Sequence, residues 1–422
     1  MKKNGITVDK RILLLCIFTG ISLVVSTFLI IHNGINGVDA YYYWVNSAYF
    51  SRGYNLEWVK QNKFVLDSIG SMQGIGVLPY GRVLHNFLFP GFLSYEVAYA
   101  YNWILIAFIT LLLAINIYNW TTSKGFFDDN KACIISAICF VVIPWLWPGY
   151  LRAGNPGGLI ALMAILAAFY VEKNENAAAL LIAFSLIKPQ IGGAYLIACF
   201  LVKKYRLVMK TVGIIFVSEL IHMVYTGIMN YVRGIYWPLS LNSLISIFEG
   251  YAGKDSEKER GITWHLYYGV FNLLKEVGVP VIIVLLLSMI SGIVFMMALI
   301  NYVKRNRLLY SDYIVIFAIA SLASLFWFYK SECDNIVLIM CNMPILYFLN
   351  EKEVKIKDFL ISCVFLMGLN WLIGRYLLRF ALPLVSYSVG ILIDQLLQMA
   401  LFIAMIVLCV MKHGEDSKVD GE

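Results

Sequence analysis

The stretch AAALLIAFSLIKPQIGGAYLIACFLVKKYR, residues 177–206, decides how the chain is threaded. Its apolar part, 177–202, has the length of one membrane crossing, which takes about 20 apolar residues. Lys188-Pro189-Gln190 stands in the middle of it. A lysine at mid-bilayer is costly, and proline removes a backbone donor and clashes with the preceding turn. The charges around it decide between one crossing and two. Short loops rich in Lys and Arg stay cytoplasmic, so Lys2, Lys3, Lys10 and Arg11 place the N-terminus inside. One crossing at 177–202 would then leave Lys203, Lys204, Arg206 and Lys210 outside. Two short helices with an outer turn at Lys188–Gln190 return that cluster to the cytoplasm.

Working outward, the other apolar runs are 12–31, 99–118, 132–148, 157–171, 207–229, 279–302, 312–329, 334–349, 357–373 and 386–411. With the split at 188 these predict an all-α, polytopic membrane bundle of about twelve transmembrane helices, both termini cytoplasmic. Basic breaks at 304–307 and 351–357 fall inside in that threading. The run 12–31 is too long for a signal-peptide core and is read as a retained first span. The whole chain, 1–422, is expected to form one integral membrane domain.

Composition agrees. Of 422 residues, 60% are hydrophobic and 14% charged, against about 25% charged in a soluble domain. Mean hydropathy is +0.76. The net charge of +7 comes from topology-setting basic residues, so no nucleic-acid partner is expected. Of the eight cysteines, Cys16, Cys139, Cys199, Cys341, Cys363 and Cys409 sit in apolar runs, and there is no CxxC pair. Neither a disulfide framework nor a metal cluster follows.

Two long segments fall outside. The first, 32–98, opens GINGVDAYYYWVNSAYFSRGY (34–54), a loop with Asp39 set among tyrosines, and continues through LPYGRVLHNFLFPG (78–91). The second, 231–278, carries KDSEKERG and then WHLYYGVFNLL. Parts of both are expected to lie along the interface as amphipathic pieces. The cytoplasmic breaks are short, so any chemistry belongs to the outer face. The helices of 279–411 complete the bundle.

The order of these motifs resembles the GT-C superfamily of membrane glycosyltransferases. More narrowly, it resembles glycosyltransferase family 87, the polyprenyl-phosphate-mannose-dependent branch. The likeness rests on Asp39-Ala-Tyr-Tyr-Tyr43, LPYGRVLHNFLFPG, LRAGNPGG (151–158) and SLIKPQIGG (185–193) followed by LVKKYR, and covers roughly 10–230 as a catalytic module. Relatives often carry Gln where this chain has Asn155 or Pro156. The resemblance implies an inverting transfer of a sugar, mannose favoured, from a polyprenyl-phosphate donor to a glycan or glycolipid acceptor. The reaction would run at the outer face of a plasma membrane, by a monomer. It needs one general base and cations for the leaving phosphate, with no second carboxylate as in retaining chemistry. No cofactor and no metal are implied beyond the lipid-linked donor itself.

By that resemblance Asp39 is the base; the residues alone favour a helix cap. Glu57 and Asp67, then Glu96, are the alternative acids. Lys188 either holds the lipid phosphate as a point charge or snorkels to the headgroups. Arg152 precedes the helix start at Pro156 and could hold phosphate there or a lipid headgroup. Arg375 and Arg379 form a basic stripe with the same two readings. Tyr42, Tyr43, Asn155, Gln190, His85 and His265 are candidate sugar contacts. Tyr41, Tyr42 and Tyr43 cannot all face one way, and lone loop histidines, like Arg82, are commonly only solvated. Glu219 and His222, three apart, share a helical face; a buried polar pair joining two helices is preferred over a site. Lys330, Glu332 and Asp334 are expected to pair with one another, and Asp394 has no evident role. Two other classes stay open: a lipid-linked-sugar flippase, which should show broken helices in both halves, and an integral-membrane polysaccharide polymerase.

Overall fold

A computed structural model describes residues 38–66, 82–123, 156–235, 278–305 and 313–324, with isolated positions at 13, 16, 17, 20, 21, 24, 274 and 340. The described part is helical, with no strand among it. The spans expected at 132–148, 357–373 and 386–411, and all of 334–349 except position 340, lie outside the described residues.

In the segment 32–98, expected as an outer loop, the described residues form a helix, α1 (Val38–Ser51), and two short ones, α2 (Leu56–Gln61) and α3 (Arg82–Leu88). Then come α4 (Tyr95–Ser123), α5 (Gly157–Ala168), α6 (Glu175–Ser185), α7 (Pro189–Leu201), α8 (Tyr205–Val232), α9 (Val281–Arg305) and α10 (Tyr313–Ala323).

The division of 177–202 is as expected. α6 ends in a turn over 186–188, and α7 starts with Pro189 at its first position and Lys188 at its N-cap. Proline suits that position because its missing N–H would have no helical partner anyway. Gly192 permits the fold-back: a Cβ there would stand 2.5 Å from the Leu186 nitrogen and the Ser185 carbonyl carbon. At the other end of α6, Asn174 caps the helix by accepting from the Ala177 N–H at 3.1 Å.

α5 is the centre. All twelve of its residues are buried, and it packs against α4, α6, α7 and α10. α10 is also buried from Ile314 to Ala323 and is joined to α7 by a 2.6 Å hydrogen bond between Tyr195 Oη and Ser321 Oγ. A helix apolar on every side has to be enclosed or in lipid.

α8 is the reverse. Its buried residues are Leu207, Thr211, Ser218, His222, Thr226 and Asn230. Its exposed ones include Met209, Phe216, Val217, Leu220, Ile221, Val224 and Ile228. Polar groups face in and apolar groups face out, an arrangement water would not tolerate over 28 residues. α4 and α8 are both long and apolar enough to cross a membrane. α5, α6 and α7, with 12, 11 and 13 residues, are shorter than a crossing.

Candidate functional site

The segment 38–93 is built on α1. Ala40 and every residue from Trp44 to Phe50 are buried. Trp44 Nε1 donates to the Leu93 carbonyl at 3.1 Å, and Tyr41 meets Tyr95 edge-on at 5.4 Å between centroids. Tyr49 Oη donates to the Phe64 carbonyl and accepts from the Leu66 N–H, fixing the chain beyond α2. The Pro90–Gly91 turn lies directly on α1: a Cβ on Gly91 would overlap the Ser47 carbonyl. Arg52 Nη1 donates to the Ala48 and Gly91 carbonyls at 3.0 and 3.1 Å.

Inside this layer sits a polar pair. Ser47 Oγ and His85 Nδ1 are 2.8 Å apart and buried. The His85 ring stacks with two aromatic neighbours, 5.1 Å from Tyr43 and 6.1 Å from Phe89. Its Nε2 is buried with no hydrogen-bond partner among the described residues. Burial alone drives the His85 pKa down to about 3, because a buried imidazolium has no water to solvate it. The ring is therefore neutral at physiological pH, and it is an enclosed group rather than the solvated loop histidine the sequence suggested.

The three consecutive tyrosines diverge, as α-helical geometry requires. Tyr41 and Tyr43 are half-buried, and Tyr42 is exposed. Tyr43 and His85 are thus brought together, while Tyr42 faces away. Asp39 falls in the first turn of α1, where a carboxylate complements the helix dipole; its backbone alone is described, as is that of Gln190, Glu57 and Arg82.

Lys188 belongs to the other group of helices. It is only 6% exposed, and its carbonyl accepts from the Ile191 and Gly192 N–H groups. Glu219 is half-buried and His222 buried on the inward face of α8, where Phe50 of α1 lies 5.1 Å from the His222 ring. α8 is the element both groups share, packing on α3 as well as on α6 and α7. Near its end Tyr225 Oη donates to the Ser51 carbonyl at 2.7 Å. Arg233 donates to the Arg52 and Gly53 carbonyls and lies 4.1 Å over the Tyr54 ring. Arg152, Asn155, His265, Arg375, Arg379, Asp67, Lys330, Glu332, Asp334 and Asp394 lie outside the described residues.

Sequence reasoning missed Ser47. Nothing local marks it, because its partner is 38 residues away. It missed the α1–Gly91 contact as well, although a Pro-Gly dipeptide announces a tight turn. Among the described residues no cluster of His, Cys, Asp or Glu is placed to hold a metal ion. The sequence matches no protein-family model, no curated protein and no solved structure. The GT-C likeness therefore rests on the motifs quoted above.

Proposed function

We propose that the chain is an extracytoplasmic inverting glycosyltransferase of GT-C type, a bundle of about twelve spans in a plasma membrane. It takes its sugar, mannose favoured, from a polyprenyl phosphate. The observation that carries this reading is Lys188. It is a buried cation at the N-cap of α7, at the break between two helices each too short to cross a bilayer. A lysine retained at such depth marks a functional position by default, and a helix start with a cation favours a phosphate. α1 supports the other half of the site. Its first turn holds Asp39 on a helix anchored by Trp44, Ser47 and Arg52, so the acid rides on a fixed element.

In the proposed step an acceptor hydroxyl attacks the anomeric carbon. Asp39 takes the hydroxyl proton, the bond from that carbon to the phosphate oxygen breaks, and the lipid phosphate departs toward Lys188. Tyr43 offers a ring face for the sugar, and Arg152, Arg375 and Arg379 are further candidates for the phosphate. The acceptor is a glycan or glycolipid.

A flippase for the same lipid-linked sugar is the second reading, favoured by the polar inward face of α8. One experiment separates them: the protein in nanodiscs or vesicles, a synthetic polyprenyl-phosphate donor with labelled sugar, and wild type beside Asp39→Asn and Lys188→Gln. Release of label from the lipid by wild type, lost in Asp39→Asn, supports transfer. Undiminished turnover in Asp39→Asn removes the assigned base. Movement of intact donor across vesicles with no turnover replaces the transferase by the flippase.

A further inference from the structure

A second site lies at the opposite end of α8. Between α6 and α8 runs an open groove of about 470 Å³, lined by Asn176, Ala179, Lys210, Gly213, Ile214 and Val217. From Lys210 to Val217 it is roughly 10 Å long at 1.5 Å per residue. Its walls are apolar except at the Lys210 end. Gly213 makes the notch: a Cβ there would meet nothing within 4 Å. A helix-interior glycine is less favourable than alanine, so the opening is kept against local stability. The rim continues the outward apolar face, with Leu180, Met209, Val212, Phe216 and Val217 all exposed.

The charges at the mouth are one-sided. Residues 172–176 and 203–210 carry Lys173, Lys203, Lys204, Arg206 and Lys210 against Glu172 and Glu175. Lys210 Nζ spends two of its three donors on Glu175 Oε1 at 2.9 Å and Asn176 Oδ1 at 2.7 Å. Arg206 is 81% exposed, and its nearest acid oxygen is 3.6 Å away. Lys204 is occupied elsewhere, over the Tyr313 ring at 4.9 Å.

We infer that this groove binds an anionic glycerophospholipid, with part of one acyl chain along Ala179, Gly213, Ile214 and Val217 and the headgroup phosphate on Arg206 and the remaining Lys210 donor. An apolar trough ending in spare cationic donors at a membrane surface matches a negatively charged amphiphile. A zwitterionic headgroup would bring its own cation to a mouth already rich in them. The proposal rests on membrane embedding alone, independent of the reaction above.

The test titrates the purified full-length chain in detergent with phosphatidylglycerol, and separately with phosphatidylcholine of the same acyl chains. Retained lipid is read by native mass spectrometry and thermal unfolding is followed in parallel. Phosphatidylglycerol should stay bound and raise the unfolding temperature, and phosphatidylcholine should do neither. Arg206→Gln should weaken retention about fivefold, the effect of one cation near a lipid surface. Gly213→Leu fills the notch with a better helix former and should abolish the lipid-dependent shift while unfolding stays cooperative. Equal retention of both lipids, a full shift in Gly213→Leu or Arg206→Gln, or the same shift from glycerol phosphate alone would overturn the assignment.

Discussion

Where α8 begins, Lys210 reaches Glu175 and Asn176 through contacts open to solvent. Where it ends, Arg233, Tyr225 and Arg52 donate to backbone carbonyls of Arg52, Gly53, Ser51, Ala48 and Gly91. Beside the buried Thr211, which donates to the Ala179 carbonyl, the first end is tied by Lys210 to a carboxylate and an amide oxygen. The second is held by side chains that satisfy turn carbonyls, above a layer in which Ser47, His85 and Gly91 are fully packed. Exposed ion pairs contribute little and are screened by salt. Carbonyl-capping donors and close backbone packing depend on shape. The segment around α1 is thus joined to α8 through turn carbonyls, while the basic end adds a salt-sensitive tie to α6.

The largest effect should come from Gly91→Ala. Its methyl group would collide with the α1 backbone, which cannot yield as a flexible side chain can. The expected loss is about 3 kcal/mol or more, read as a lowered unfolding temperature in detergent; an unchanged value would separate the turn from α1.

His85 sharpens the contrast through pH. Its pKa lies at 6.5 unfolded and about 3 folded, so the unfolded chain binds the extra proton between those values. The stabilising effect of the neutral ring is complete above pH 6.5 and is lost as pH falls toward 3. At pH 5 the loss should be about 2 kcal/mol. His85→Phe should flatten that part of the pH–stability profile; a profile identical to wild type would move the titration to another group.

Arg233→Ala comes next. It removes two donors from turn carbonyls and the contact with Tyr54, and should cost about 1 kcal/mol by chemical denaturation. Glu175→Gln should do least, shifting the unfolding temperature by less than Arg233→Ala does and by still less in high salt. A larger, salt-insensitive effect at Glu175 would erase the distinction between the two ends.

Much of the helical layout could be read from the residues because polarity and proline act locally. Lys188-Pro189-Gln190 interrupts an apolar run, and the backbone breaks there. The runs at 157–171 and 207–229 reappear as α5 and α8. The outer segment was harder. Residues 38–51 hold Asn, Ser and four tyrosines and read as a wet loop, yet Ala40, Trp44, Val45, Ala48 and Tyr49 recur at helical spacing and pack inward. This helix exposes and buries aromatic rings alike, so composition does not sort them. The Ser47–His85 pair and the Gly91 contact join positions tens of residues apart, and no local pattern encodes such a meeting. Lys188 was legible as an anomaly because a charge interrupts an apolar run there.

α5, α6 and α7 extend about 18, 16 and 20 Å at helical rise, each less than the hydrocarbon thickness of about 30 Å. In the proposed membrane bundle, none would partition securely into a bilayer by itself as it leaves the ribosome. Their hydrophobicity is satisfied by one another and by α4 and α8, so they have to enter as a group, with α5 sealed off only when the later α10 arrives. Truncating the chain before residue 313 should therefore leave a nascent product that chaperones and membrane proteases treat as incomplete.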